Sequence, residues 1–336
     1  MAYRELSAWL AEQAGEDALL QAVAQTITNL ASAATQVSRM VARGPLNPGL
    51  EGKTLKEVYA YFDREAGQAF VAALKESPVA QVAREKGGME PGAADAPLAV
   101  TLDALNGSSN IDANTSPGTL FGLWPAAGEE TFTRPGVAMA AAGFFIYGPR
   151  TALAFTIGRG TQVATMDPET GTFLVTAEKR ALPEDYAREY AVNASNYRFW
   201  DPAIRTYVDD MIDGADGPRE VDYNMRWSAS LVADALRVLN RGGIFLYPAD
   251  ARPGYGKGRM KLLFHACPVA MVMEQAGGMA TDGKVRILEK IPEDLHERTP
   301  LIFGSAREVD RVRKYYDLPL GGSRSPLFSR RGLFRF

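Results

Sequence analysis

The stretch Asp103-Ala-Leu-Asn-Gly-Ser-Ser-Asn-Ile-Asp112 decides how this chain is read. It follows Pro97-Leu-Ala-Val-Thr-Leu102, a short apolar, β-prone run, so Asp103 is expected at the end of a strand. Asn106-Gly107 turns readily because glycine accepts positive φ. Gly107, Ser108 and Ser109 then offer small side chains and consecutive backbone N–H groups that can approach a phosphate closely. A carboxylate at a strand end beside such an N–H nest suits a metal-bridged phosphate. Taken alone, the pattern fits an Asn-Gly hairpin solvated by its serines equally well.

Other blocks extend the pattern. They are Pro135-Gly136, the strand-like Ala141 to Gly148, Arg226-Trp-Ser-Ala-Ser-Leu-Val-Ala-Asp234, Arg241-Gly-Gly-Ile-Phe-Leu-Tyr-Pro-Ala249, Ala266 to Gly278, and His296-Glu-Arg-Thr-Pro300. In order and spacing the chain resembles the class 1 fructose-1,6-bisphosphatases over roughly residues 15 to 316. That family writes the first stretch Asp-Pro-Leu-Asp-Gly-Ser-Ser, so Ala104 and Asn106 stand here for a proline and a metal-binding aspartate. The resemblance implies an α/β fold, the layered α-β-α-β-α sugar-phosphatase fold of two α/β halves. The division implied is 1–190 for the metal and phosphate loop, 191–320 for sugar-phosphate binding, and a basic, aromatic tail at 321–336.

Composition sets the outer bounds. A chain of 336 residues, 46% of them hydrophobic, can bury two ordinary cores. A net charge of −3 gives no nucleic-acid signal. The single cysteine, Cys267, leaves no intrachain disulfide and fits a reducing compartment. No stretch reaches the roughly 18 to 20 apolar residues of a membrane span, and the start lacks a signal-peptide pattern. The expectation is a cytoplasmic protein with neither nucleic acid nor membrane as partner.

Apolar spacing predicts helices within residues 4–42, interrupted at Gly15, and at Leu55 to Leu74, 204–213, 228–240 and 268–276. Strands are expected from Leu98 to Val175, at Ile244 to Tyr247 and at Leu301 to Phe303. Residues 87–97 read as a loop. The tail sets Arg324, Arg330, Arg331 and Arg335 among Leu327, Phe328, Leu333, Phe334 and Phe336. It reads either as a solubilising terminus or as a docking peptide for a protein partner with an acidic, apolar groove.

The resemblance also implies a reaction, in which water activated by Mg2+ displaces the 1-phosphate of fructose 1,6-bisphosphate, placing the chain in carbohydrate metabolism. It implies metal contacts at Glu85, Asp103, the Leu105 carbonyl and His265, and catalytic roles for Asp63 and Glu85. The phosphate and sugar fall to Asn106, Gly107, Ser108, Ser109, Asn193, Arg226, Tyr247 and Arg259, with Arg226 reaching from a neighbouring subunit of a homotetramer. Five acids bind metal in the family. Here Asn106, His265 and the segment Arg84-Glu85-Lys86 cut that formal charge from −5 to about −1. Weak or absent Mg2+ binding is therefore expected, with either a fixed cation such as Lys86 in an ion's place or a single softer divalent metal on Asp103, Glu85 and His265. Arg84 is expected to be free to touch phosphate. The family's nucleotide-inhibition site does not carry over, because Pro97-Leu98 replaces its Lys-Tyr pair.

Overall fold

A computed structural model describes residues 3–183 and 188–317. Three helices open the chain: α1 (Leu6–Ala14), α2 (Ala18–Arg43) and α3 (Leu55–Lys75). Gly15, at φ 52°, separates the first two, as the sequence predicts. Asp17 caps α2 by accepting from the N–H groups of Leu19 and Leu20, and Thr54 with Glu57 closes a capping box on α3.

These helices cover one face of a nine-stranded sheet. Its strands are β1 (Arg4–Glu5), β2 (Val79–Arg84), β3 (Gly88–Pro91), β4 (Leu98–Asn106), β5 (Gly118–Pro125), β6 (Ala141–Tyr147), β7 (Thr151–Thr156), β8 (Thr161–Met166) and β9 (Phe173–Arg180), in the order β1-β9-β8-β7-β6-β5-β4-β2-β3. All neighbours are antiparallel except β2 and β4. Residues 87–97 are therefore not wholly a loop. Gly87 and Gly88 take φ of 127° and 82°, and the chain returns as β3 against β2. The strand β2 itself was absent from the sequence reading.

A second sheet of five strands follows. It comprises β10 (Glu189–Val192), β11 (Asn224–Met225), β12 (Ile244–Tyr247), β14 (Gly278–Thr281) and β16 (Leu301–Ser305), and a separate pair joins β13 (Met260–Lys261) to β15 (Arg298–Thr299). Its helices are α4 (Pro202–Asp213), α5 (Leu231–Arg241), α6 (Cys267–Gln275) and α7 (Ala306–Asp317). The helix expected at 228–240 starts later, because Ser228 to Ser230 form its capping turn with Ala229 at φ 59°.

Strand alternation assigns the layers. On β12, Phe245 packs with α5, α6 and the large sheet, whereas Ile244 and Leu246 pack with α4 and α7. On β6, Phe144 faces the shared interior while Phe145 meets Phe70, Phe121 and Phe173 under α3. The result is the α-β-α-β-α stack that the resemblance implied. The end of β4 and the turn before α6 meet inside it.

Candidate active site

Asp103 sits near the end of β4, where the ladder slips. Asp103 pairs with Leu120 and Asn106 with Gly118, so β4 spends one more residue than β5 over the interval. Such a bulge re-aims the side chains around it. Gly107 follows at φ 76° and ψ 39°, and Ser108–Asn110 form a single 3-10 turn. The first N–H groups of a helical turn have no partner within the turn, which is what an anion needs. The predicted strand and glycine turn are both present.

Asp103 is 3% exposed, and its Oδ2 accepts from Asn106 Nδ2 and from His265 Nε2, each at 2.9 Å. His265 comes from a π-helical turn, Leu262–Ala266, that leads into α6. That turn folds the ring back so that the Lys261 backbone N–H donates to Nδ1 at 3.1 Å. Nδ1 is thus an acceptor, and the ring proton sits on Nε2, facing Asp103. Burial raises the Asp103 carboxyl, but the His265 bond, the Asn106 amide and the charge of Lys86 outweigh it and hold it below the usual range.

The other two acids also have cationic partners. Lys86 Nζ lies 2.9 Å from Asp63 Oδ2, and Lys261 Nζ lies 2.8 Å from Glu85 Oε1. Partial burial works against the Lys86 charge, but its bond to Asp63 and the fields of Asp63, Asp103 and Glu85 raise it above its ordinary value. Of the three acids, Asp63 touches this lysine directly. Lys261 Nζ also donates to His296 Nδ1 at 3.2 Å, and Phe264 stacks on the His296 ring at 5.3 Å.

This donor set does not fit a cluster of two Mg2+ ions. Three carboxylates face two ammonium groups, His265 presents a proton rather than a lone pair, and Asn106 is spent on Asp103. Mg2+ demands oxygen ligands, and two such ions would meet a net charge of about −1. Among the described residues, no group of three or more His, Cys, Asp or Glu side chains is arranged to hold a metal. Two buried oxygens remain unpartnered, Asp63 Oδ1 and Glu85 Oε2.

One expected contact is absent. Arg84 is not free for phosphate, because it pairs with Glu90 at 2.7 Å inside the β2–β3 hairpin. Gln68, on the same helix as Asp63, lines a separate cleft of about 290 Å3 between α2 and α3. Trp227 stacks on Phe245 at 5.6 Å and is a packing residue.

The residues expected at the sugar lie on or beside the smaller sheet and the β13–β15 pair. Asn193 caps a turn by accepting from Ser195, and Tyr247 lies on β12 with Trp227 at 6.0 Å. Arg226 follows β11 among Glu189, Asp234 and Arg237, a different set of neighbours from those of Asp103. Arg259 is exposed, directly before β13, with its guanidinium 5.2 Å from the Tyr255 ring centre. Arg252 stacks on the same ring at 4.1 Å and is held by Asp250. The sequence reading missed Arg252, Tyr255, Lys261 and His296. For Lys261 the available signal was a cation four residues before His265 in a segment already singled out.

Comparison with known proteins converges on one family. The profile of the fructose-1,6-bisphosphatase N-terminal domain matches residues 10–178, and that of the C-terminal domain matches 182–317. A class 1 fructose-1,6-bisphosphatase of Methylorubrum extorquens is 48% identical, with 97% of this chain and 96% of that protein aligned. That of Rhizobium meliloti (strain 1021) is 46% identical, with 98% of each aligned. So little is left unaligned in that pair that part of the sixteen-residue tail has a counterpart there, and the tail does not lie wholly beyond its relatives. The crystal structure of Leishmania major fructose-1,6-bisphosphatase in holo form superposes with a TM-score of 0.85 at 30% identity, covering 94% of this chain and all of that one.

Proposed function

The chain belongs to the class 1 fructose-1,6-bisphosphatase family, and from that premise we propose that it binds a sugar phosphate without divalent metal and hydrolyses fructose 1,6-bisphosphate only weakly with Mg2+. One observation carries the reading: each acid of the site already has a protein partner, Asp63 with Lys86, Glu85 with Lys261, and Asp103 with His265 and Asn106. An ion that takes Asp63 Oδ2 or Glu85 Oε1 must first displace an ammonium group. In family terms the metals neutralise phosphate charge and activate water. Here Lys86 and the turn at Gly107 to Ser109 supply the positive field, while each carboxylate of the set is paired through at least one oxygen, which lowers its basicity toward water.

On this reading the N-terminal part, 1–190, presents the phosphate loop, and 191–320 presents Asn193, Tyr247 and Arg259 to the sugar. A homotetramer would bring Arg226 to a neighbour's site. The tail at 321–336, read either as a solubilising terminus or as a docking peptide for a protein partner, lies outside the described residues.

A second reading has one observation in its favour. Asp63 Oδ1 and Glu85 Oε2 are buried without partners, and together they suit one further cation, with slow hydrolysis as its consequence. Calorimetry with fructose 6-phosphate in EDTA, beside phosphate release from fructose 1,6-bisphosphate with and without Mg2+ or Mn2+, separates the two. Binding in EDTA with turnover at least tenfold below the Rhizobium meliloti relative is expected. Turnover matching that relative in Mg2+ would sink the proposal, and a dependence on one divalent ion would favour the second reading.

A further inference from the structure

Lys261 acts on two acids of the site through different atoms. Its backbone N–H donates to His265 Nδ1 at 3.1 Å and so keeps the ring proton on Nε2, facing Asp103. Its ammonium group donates to Glu85 Oε1 at 2.8 Å and to His296 Nδ1 at 3.2 Å. The two side chains are only 20% and 13% exposed, so solvent screens this pair less than a surface pair. The register of β13 against β15, with Lys261 opposite Arg298, fixes the backbone from which both contacts are made.

We propose that Lys261 is the positioning residue that closes this site to divalent cations. Its ammonium group occupies the carboxylate that an ion would need, and its backbone turns His265 into a donor instead of a ligand. A histidine binds metal through an unprotonated nitrogen, and here the nitrogen facing Asp103 carries the proton. Glu85 Oε2 is already without a partner. Removing the ammonium group frees Oε1 as well and shifts the local balance of carboxylates and ammonium groups by one negative charge. The inference rests on the metal-independent reading and deepens it.

The test is Mn2+ binding by the full-length chain, followed through the free-ion electron paramagnetic resonance signal. Lys261→Met is expected to bind Mn2+ at least ~10-fold more tightly than the wild type, because a unit charge is removed within a few ångströms of the site. Lys261→Gln is expected to behave alike; it keeps hydrogen-bond donors toward Glu85 and His296 and carries the test if the methionine variant does not fold. Lys261→Arg restores the cation and is expected to return to wild-type behaviour. A residue that merely supported the fold would lower the melting temperature in the first two variants without raising Mn2+ affinity.

Adding Glu85→Gln to Lys261→Met should abolish the gain. Equal Mn2+ affinity across the series, or a gain that survives Glu85→Gln, overturns the assignment. Wild-type calorimetry with fructose 6-phosphate in EDTA keeps the two ideas apart. If the wild type binds sugar phosphate there while the variants gain no Mn2+, only the role of Lys261 fails. If the wild type itself requires Mn2+ to bind, the metal-independent reading fails.

Discussion

Placing a second carboxylate beside Asp103 probes the charge arrangement of this site directly. Asn106→Asp replaces the amide that donates to Asp103 Oδ2 at 2.9 Å, so two acids would face each other across the same gap. At an effective dielectric of about 20, two unit charges ~3 Å apart repel by about 5 kcal/mol. The site escapes by holding a proton between them, which costs about 1.4 kcal/mol for each pH unit above the ordinary aspartate value near 3.9. At pH 7 that route costs about 4 kcal/mol, less than the unrelieved repulsion, so protonation sets the cost.

The sign of the pH dependence follows from linkage. In the variant the folded-state value of the acid pair lies above its unfolded value. Its contribution to stability is therefore fully present below about pH 4 and is lost as pH rises through the raised value. A loss of up to ~4 kcal/mol is expected at pH 7, shrinking by about 1.4 kcal/mol per unit toward pH 4, where the protonated acid donates to Asp103 as the amide did. Urea denaturation of both proteins in EDTA, at steps from pH 4.5 to 8, gives the difference curve. A difference below ~1 kcal/mol at pH 7, or one flat with pH, would refute the shared-oxygen geometry.

Other expectations follow from other parts of the molecule. Arg259→Ala should weaken fructose 6-phosphate binding by about 1.5 to 3 kcal/mol in calorimetry, and unchanged affinity would remove Arg259 from the site. Burial raises Asp234 to about 6 against the bonds from Ser228, so the wild type loses stability between about pH 4 and 6 as that group ionises. Asp234→Asn should remove that segment of the pH–stability curve, and a curve that keeps it would assign the titration elsewhere. Deletion after Gly322 should leave folding and assembly intact while abolishing retention of a protein partner from extract; loss of assembly in sedimentation would make the tail structural.

Much of the architecture is legible in the sequence because burial there obeys simple periods. The run from Leu98 to Val175 alternates or stays apolar between Gly and Pro turns, and it folds into most of the large sheet. The strand β2 escapes because Val79-Ala-Gln-Val-Ala-Arg84 is short, weakly β-prone and hidden behind Pro78, and its pairing with β4 on one side and β3 on the other makes it a strand. The hairpin to β3 depends on two glycines at positive φ, Gly87 and Gly88, that look like a loop in one dimension. At the site, Asn106, His265 and Lys86 are legible in the sequence as departures from the motif the chain resembles. The partner of Glu85 is not, because Lys261 is brought to Glu85 and His296 by the pairing of β13 with β15 and by a π turn, neither of which leaves a periodic trace.

On the proposed metal-independent reading, the acids of the site need an explanation of their own. Asp103 is buried, and an unpaired buried carboxylate costs several kcal/mol, so it persists only with donors aimed at it. Asn106 and His265 are those donors, and the same holds in weaker form for Glu85 with Lys261. Each pair is therefore a unit: changing one member strands the other, while changing both is tolerated far better. Asn106→Asp adds negative charge next to an acid that is already satisfied, while changing Lys86 or His265 alone takes a partner from Asp63 or Asp103. Lys86, Asn106 and His265 thus stabilise the acids they face, as Lys261 does Glu85, and changing any one of them alone leaves an acid short of a donor.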